Sequence, residues 1–277
     1  MLVRQMWGTM PTFEYLRISL AKQPDLFDPG LSRQEFLRKV FSRRWDFTYR
    51  RRVYTYDPIP DSGEYIGGVI GREIAELRND GPDTHWKVIE QRHWPIAYLS
   101  LDLAEKEQIA AVQNHQRIGS PYGLLRSLLE HAARAEGLGS WKSSIEYISS
   151  ASDFWVAAKN YAGRITSLSF VFVPPNMLGA KEAIDDLVKA ASEETLSEET
   201  ELKLKNADGN LVPSGSLVEA SVATAAAGGG EITMRAGKKV IFSSSANRRT
   251  KEIDSEEIPK PSSIEQVRDF FKRLMAK

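Results

Sequence analysis

The sequence predicts an α+β fold, an antiparallel-sheet-rich N-terminal half followed by a mixed α/β C-terminal half. Three observations carry this reading. Up to residue 114 the apolar residues fall in short runs separated by Gly, Pro and Asp, the rhythm of antiparallel strands. From residue 120 onward, stripes with the helical period alternate with single strands. The chain of 277 residues is long enough for one large domain or two modest ones. The change of rhythm places a division between residues 1–118, strand-rich, and 119–277, mixed.

Taken in order, "TFEYLRISL" (12–20) alternates as a strand and "PDLFDPGLS" (24–32) reads as a loop. Ser32 and Glu35 form the S-x-x-E capping box, so "RQEFLRKVF" starts a helix with Phe36, Leu37 and Val40 inward. Residues 44–56 read as one long strand. "GEYIGGVIGREI" (63–74) is β-like, with Gly67, Gly68 and Gly71 marking a bulge or a close backbone approach. Strands at 85–91, 95–102 and 106–114 complete the first half. Ser120 as N-cap and Pro121 at the first position start a helix whose stripe is Leu124, Leu125, Leu128, Leu129, Ala132 and Ala133, ending at Gly137.

A strand (143–149), a short helix (152–162) and a strand (164–175) with Leu168, Phe170 and Phe172 on one face come next. "GAKEAIDDLVKAA" (179–191) is an amphipathic helix, and "SEETLSEET" (192–200) an acidic connector. A strand at 201–205 meets a turn centred on Asp208-Gly209. An Ala-rich helix (214–230) ends in glycines, and 231–244 is a hairpin turning at Gly237. A polar stretch (245–261) precedes a last helix capped by Ser263, with Ile264, Val267, Phe270, Phe271 and Leu274 inward.

Composition narrows the function classes. There is no cysteine, which excludes disulfides, thiolate metal sites, iron–sulfur clusters and a cysteine nucleophile. No apolar run reaches the ~20 residues of a membrane helix, and the first residues lack the apolar core of a signal peptide. A cytoplasmic location is the default expectation. Formal net charge is zero, yet the charges are sorted into blocks. Residues 33–52 and 235–251 are basic, and residues 181–201 acidic.

The stretch "SRRWDFTYRRRVYTYDP" (42–58) is the most informative. Arg43, Arg44, Arg50, Arg51 and Arg52 fall within ten residues, interleaved with aromatics. On one continuous strand, Trp45, Phe47, Tyr49, Arg51 and Val53 share a core face. Arg44, Asp46, Thr48, Arg50, Arg52, Tyr54 and Tyr56 then share the other. Guanidinium forks at alternate positions, ~6.6 Å apart, match the spacing of phosphates along a nucleic-acid strand. The expected contacts are Arg43, Arg44, Arg50, Arg52 and Tyr54, with Lys238, Lys239, Arg248 and Arg249 as a second site. The same residues also suit a solvated sheet face or a protein interface.

Catalytic signatures are weak. "ELKLK" places Glu201 and Lys203 on one strand face, the E-x-K pair of Mg²⁺-dependent nucleases. The upstream acids, Asp185 and Asp186, sit on the polar side of a helix. His85, His93, His115 and His131 lack metal-ligand spacing. There is no G-x-S-x-G elbow. "AAAGGGE" (225–231) ends a helix, whereas phosphate loops begin one. No catalytic residue, metal or cofactor is assigned.

From "ITSLSFVFVPPNMLGAKEAIDDLVK" through "ELKLKNADGNLVPSGSLVEASVATAAAGGGEITMRA", the order of elements resembles RexA-like phage-exclusion sensors, a group of bacterial phage-defence proteins. The shared layout is a hydrophobic strand, a helix, a polar strand ending in a D-G turn, a further helix and a terminal helix, over roughly residues 140–277. The resemblance implies a cytoplasmic, DNA-binding, dimeric α+β sensor of phage replication intermediates that works with a separate membrane effector. It carries over no individual binding residue. Non-catalytic binding of nucleic acid, most simply duplex DNA, is therefore expected, with a homo-oligomer as its form. The alternatives are a protein-interaction or toxin-like defence component and a Mg²⁺ nuclease.

Overall fold

The computed structural model describes residues 10–22, 30–60, 63, 65–104, 108–135, 138, 141–173, 188, 190–191, 194–195, 197 and 199–276. The fold is α+β and its sheets are antiparallel. Strands β1 (Thr12–Lys22), β2 (Trp45–Tyr49), β3 (Arg52–Ile59), β4 (Tyr65–Gly71), β7 (Ile96–Asp102), β8 (Ile109–Asn114), β9 (Trp141–Tyr147) and β14 (Thr250–Glu252) form the first sheet. Its order is β14-β1-β8-β7-β4-β3-β2. β1 is long enough to hold β14 and β9 end to end on one edge and β8 on the other. Residues from both sides of position 118 thus build one sheet.

Alternation along the strands gives the sheet two apolar faces. Leu16, Ile18 and Leu20 of β1 and Ala97, Leu99 and Leu101 of β7 point to one face. Helices α1 (Arg33–Phe41) and α2 (Pro121–Ala132) cover it with Phe36, Leu37, Val40, Leu124, Leu125, Leu128 and Leu129. The intervening residues Phe13, Tyr15, Tyr98 and Ala111 point the other way. They meet Val267, Phe270, Phe271 and Leu274 of α5 (Ile264–Met275). Gly67 and Gly68 admit the close backbone approach expected of them. A Cβ there would lie 2.1 Å from the Leu99 carbonyl oxygen or 2.2 Å from that of Asp57.

The second sheet has the order β11-β10-β12-β13, from β10 (Ser167–Phe172), β11 (Thr200–Lys205), β12 (Gly230–Ala236) and β13 (Lys239–Ser243). Leu168, Phe170 and Phe172 face inward, as the alternation predicts. They pack with Ile232, Met234, Phe154 of α3 (Ala151–Asn160) and Val218 and Val222 of α4 (Ser216–Thr224). A third, separate ribbon pairs β5 (Ile74–Asn79) with β6 (Val88–His93).

Helix starts follow the sequence closely. Ser32 Oγ accepts from Glu35 N, and Ser32 N donates to the Glu35 carboxylate, completing the capping box. Ser120 Oγ accepts from Gly123 N ahead of Pro121. Two expectations at the last helix are corrected. Ser263 gives no side-chain capping bond, and Ile264 is exposed because it occupies the first turn, outside the stripe that meets β1 and β7. Residues 85–91 are a turn leading into β6 rather than a strand from residue 85, since His85 and Trp86 both have positive φ. The helix expected at 179–191 falls almost wholly outside the described residues, as does the Gly137 stop.

The layers meet through the glycine-rich end of α4. Gly228 has φ +84°, and a Cβ on it would lie 2.6 Å from Cβ of Arg17 in β1. Arg17 Nη1 donates to the Ala227 carbonyl at 3.0 Å. Gly228→Ala is therefore expected to cost about 3 kcal/mol, from left-handed strain and overpacking together, read as a lowered midpoint in urea.

Close by, Glu146 of β9 lies opposite Arg17. Burial, then the neighbouring Glu231 carboxylate, pushes the Glu146 carboxyl up to about 7, against a usual 4.5. An acid whose folded pKa is raised binds protons more tightly in the folded state. Stability is then fully present below pH 4.5 and falls as pH rises to about 7. The loss is up to about 3 kcal/mol. Glu146→Gln is expected to flatten that decline, measured by urea unfolding from pH 4.5 to 8.

Candidate nucleic-acid interface

Residues 44–56 do not form one strand. β2 and β3 are the arms of a hairpin paired Trp45↔Tyr56, Phe47↔Tyr54 and Tyr49↔Arg52. Arg50 and Arg51 are its two turn residues, with φ of 49° and 62°. Two positive values in succession match a type I′ turn, whose twist suits a two-residue hairpin and which normally takes Asn-Gly. A two-residue turn resets which residues share a face. Trp45, Phe47 and Tyr49 therefore stand beside Arg52, Tyr54 and Tyr56. The opposite face carries Asp46, Thr48, Val53 and Thr55, with the Thr55 hydroxyl donating to Asp46 at 2.6 Å.

Tyr54 is consequently a core residue and not a contact residue. It is 3% exposed, and its hydroxyl donates to the Ile118 carbonyl at 2.7 Å. Tyr56 donates to Phe41 O at 2.9 Å, Tyr49 shares a 3.0 Å hydrogen bond with Ser120 Oγ, and Trp45 Nε1 donates to Val40 O at 2.7 Å. The Tyr49 ring lies over Gly119 and Gly123, where a Cβ would come within 2.7 and 2.6 Å of it. The aromatics of the motif thus fasten the hairpin to the end of α1 and the start of α2.

The arginines are sorted by this geometry. Arg50, Arg51 and Arg52 are exposed at the hairpin apex. Arg50 lies over the Tyr49 ring, 5.2 Å from its centroid. Arg43 and Arg44 are exposed too, but at the other end of β2, roughly 16 Å away for a five-residue strand. No carboxylate among the described residues pairs with any of the five. The expected rail is replaced by a compact cationic apex and a separate pair.

Two cations that sequence reading left out adjoin the apex. The Arg72 guanidinium lies 5.8 Å from the Tyr54 ring centroid and donates to the Arg117 carbonyl at 3.0 Å. Arg117 pairs with Glu76 at 3.1 Å and meets His93 Nε2 at 3.1 Å. Only the register of β4 with β3 brings Arg72 here, so no local pattern marks it. The Arg117 backbone N–H donates to His115 Nδ1, whose ring pKa is lowered first by burial and then by the Arg117 charge. His93, His115, Arg117, Glu14 and Arg248 help line a cleft of about 760 Å³.

The second predicted site divides. Arg248 Nε lies 2.9 Å from the buried Glu14 carboxylate, a charge contact without hydrogen-bond alignment of the N–H. Its guanidinium also covers the Tyr147 ring, and Nη1 donates to Ser245 O. Arg248 is thus spoken for, a correction to its reading as a phosphate contact. Arg249 lies over the Tyr15 ring, 4.6 Å from its centroid. Lys238 and Lys239 are on the second sheet, at the β12–β13 turn. Lys239 Nζ is 3.3 Å from the Tyr161 hydroxyl, with Arg164 over the same ring.

The E-x-K pair is self-contained. Glu201 accepts from Ser169 Oγ at 2.7 Å and Lys203 Nζ at 3.3 Å, which hold its carboxyl below the usual range. Among the described residues no three His, Asp or Glu side chains gather to hold a metal ion. Asp185 and Asp186 lie outside them. Residues 225–229 close α4, as the sequence predicts, rather than opening a helix. No described helix is long and apolar enough to cross a membrane. No protein-family profile matches the chain, and no curated protein matches it.

Removing Arg248 would leave Glu14 buried with only Asn114 as side-chain partner among the described residues. Arg248→Ala is expected to destabilise by about 1–3 kcal/mol in urea unfolding. Unchanged stability with weakened nucleic-acid binding would instead return Arg248 to the contact surface.

Proposed function

We propose that the protein binds nucleic acid without catalysis, gripping the phosphate backbone of duplex DNA with the β2–β3 apex. One observation carries this. Arg50 and Arg51 occupy left-handed turn positions at a cost of about 1 kcal/mol each relative to Asn-Gly. They also remain exposed without carboxylate partners among the described residues. A sequence selected for the turn alone would not place guanidiniums there. Arg52 and Arg72 extend the patch to four forks suited to phosphate oxygens.

Arg43 and Arg44 offer a second contact one β2 length away. Lys238 and Lys239 form a separate cationic edge on the other sheet. In the phage-exclusion setting implied by the RexA-like layout, such a protein reports DNA intermediates to a separate effector.

The test is fluorescence anisotropy with a labelled duplex across a range of salt concentrations, with and without Mg²⁺. The double variant Arg50→Asn/Arg51→Gly restores the favoured turn and removes two cations. Its logarithmic salt slope is expected to shrink by about two, and its affinity at low salt to fall by about tenfold or more. Its melting temperature is expected to stay level or rise. The probe is expected to remain intact with Mg²⁺. Unaltered affinity in the variant contradicts the proposal, and probe degradation favours the nuclease reading. A wild-type protein that shifts no probe at low salt favours a protein partner for the same arginines.

A further inference from the structure

The cleft beside the Glu14–Arg248 contact opens where two strands part. β7 and β8 pair only from Leu99↔Val112 to Leu101↔Ala110, although β7 starts at Ile96 and β8 runs on to Asn114. Beyond Leu99 the Tyr98 N–H donates instead to a side chain, Gln113 Oε1, at 3.1 Å. The opening holds about 760 Å³, within the range of sites that take small organic molecules. Met10, Pro11 and Pro95 supply its apolar lining, and polar side chains most of the rest.

These polar groups are unevenly spent. Glu14 is 2% exposed, yet it lines the cleft. Both of its described contacts, Asn114 Nδ2 at 2.8 Å and Arg248 Nε at 2.9 Å, fall on Oε1. No hydrogen bond among the described residues reaches Oε2. A carboxylate oxygen withdrawn from water without a donor is costly, so a ligand N–H is worth most there. Donors stand around it. Gln113 commits only its oxygen, which leaves its amide N–H groups. His115 Nδ1 accepts from Arg117 N at 3.3 Å, so Nε2 carries the proton of the neutral ring. Arg117 uses Nη1 on Glu76 and His93, and its Nε and Nη2 have no partner among the described residues.

We infer that the cleft is a nucleobase site, and that it takes a base with an exocyclic amino group: adenine, cytosine or guanine. Such a base carries an N–H donor beside a ring nitrogen or carbonyl acceptor. Glu14 Oε2 and the Gln113 amide offer the complementary acceptor and donor, as carboxylates do for the cytosine amino group and amides for the adenine edge. Glu14 with Arg248, and Arg117 with Glu76, leave the surroundings without net charge. That balance suits a neutral ring over a phosphate or an ammonium group. The base can belong to a free nucleoside or to a strand. One loop joins the cleft to the β2–β3 apex, for the Arg117 carbonyl accepts from Arg72 and the Ile118 carbonyl from Tyr54. A base everted from DNA held at the apex would meet this pocket, whereas a free nucleoside needs no DNA at the apex.

Isothermal titration calorimetry of the full chain with adenosine, cytidine, guanosine, uridine, ribose and inorganic phosphate tests this. At least one amino-bearing nucleoside is expected to bind with a Kd of about 1 mM or below. Uridine is expected to bind about tenfold more weakly, and ribose and phosphate not at all. Glu14→Gln, nearly isosteric, is expected to weaken binding by about tenfold or more. Arg117→Ala, at an exposed side chain, is expected to weaken it by about threefold with unchanged far-ultraviolet circular dichroism, and it serves as the test should Glu14→Gln fail to fold. A duplex with 2-aminopurine at a mismatch separates the two sources. A fluorescence rise with wild type but not with Glu14→Gln supports a base from the strand, and nucleoside binding without that rise supports the free nucleoside. Any one of four results overturns the inference: neither nucleoside binding nor a fluorescence rise, ribose or phosphate binding as tightly as the nucleosides, uridine binding as tightly as the amino-bearing bases, or a folded Glu14→Gln or Arg117→Ala that binds as wild type does.

Discussion

The two-residue turn at Arg50-Arg51 governs what the basic motif becomes. Because two residues leave the ladder there, Tyr54 and Tyr56 return on the same face as Phe47 and Tyr49, and all four enter the core under α1 and α2. Buried phenols must find acceptors. Those of Tyr54 and Tyr56 find backbone carbonyls at Ile118 and Phe41, and that of Tyr49 finds the Ser120 hydroxyl. The hairpin is therefore held from its base to within one residue of its apex. The guanidiniums project from a rigid mount, so ordering them on a ligand costs less than ordering a free loop.

The same partition explains why several other cations are ordinary. Arg78, Arg92, Arg117, Arg126 and Arg248 each meet a carboxylate within 4 Å. The exposed pairs among these contribute little to stability, unlike Arg248 on the buried Glu14, but all of them cancel the local field. A protein of zero formal net charge can keep a positive patch only where carboxylates are kept away. Within the β2–β3 hairpin itself the acids, Asp46 and Asp57, sit well down the arms, and Asp46 is engaged by Thr55.

Local signals were legible at several points where local chemistry decides structure. The Ser32–Glu35 box, the Ser120-Pro121 start and the inward stripe of β10 all lie where periodicity and capping place them. The Arg50-Arg51 turn was not legible, since neither residue is Gly, Asn or Asp and the aromatics on both sides continue an alternating pattern. β5 was hidden because "IAELRN" mixes apolar and polar residues on each face, as a ribbon outside the core permits. β14 is three residues long and exists only because the end of β1 offers a free edge. Arg72 joins the apex, and Glu14 claims Arg248, through strand register between distant segments. Sequence spacing carries no trace of either.

The most direct measurement of the central claim is the arginine Nε–Hε region of a ¹H–¹⁵N correlation spectrum, recorded while a short DNA duplex is titrated in. Arg50, Arg51, Arg52 and Arg72 are expected to shift together and to saturate at one protein-to-duplex ratio, with Arg248 and Arg164 unmoved. Shifts confined to Arg164 and Arg235 beside the β12–β13 turn, or none at the apex, would contradict it.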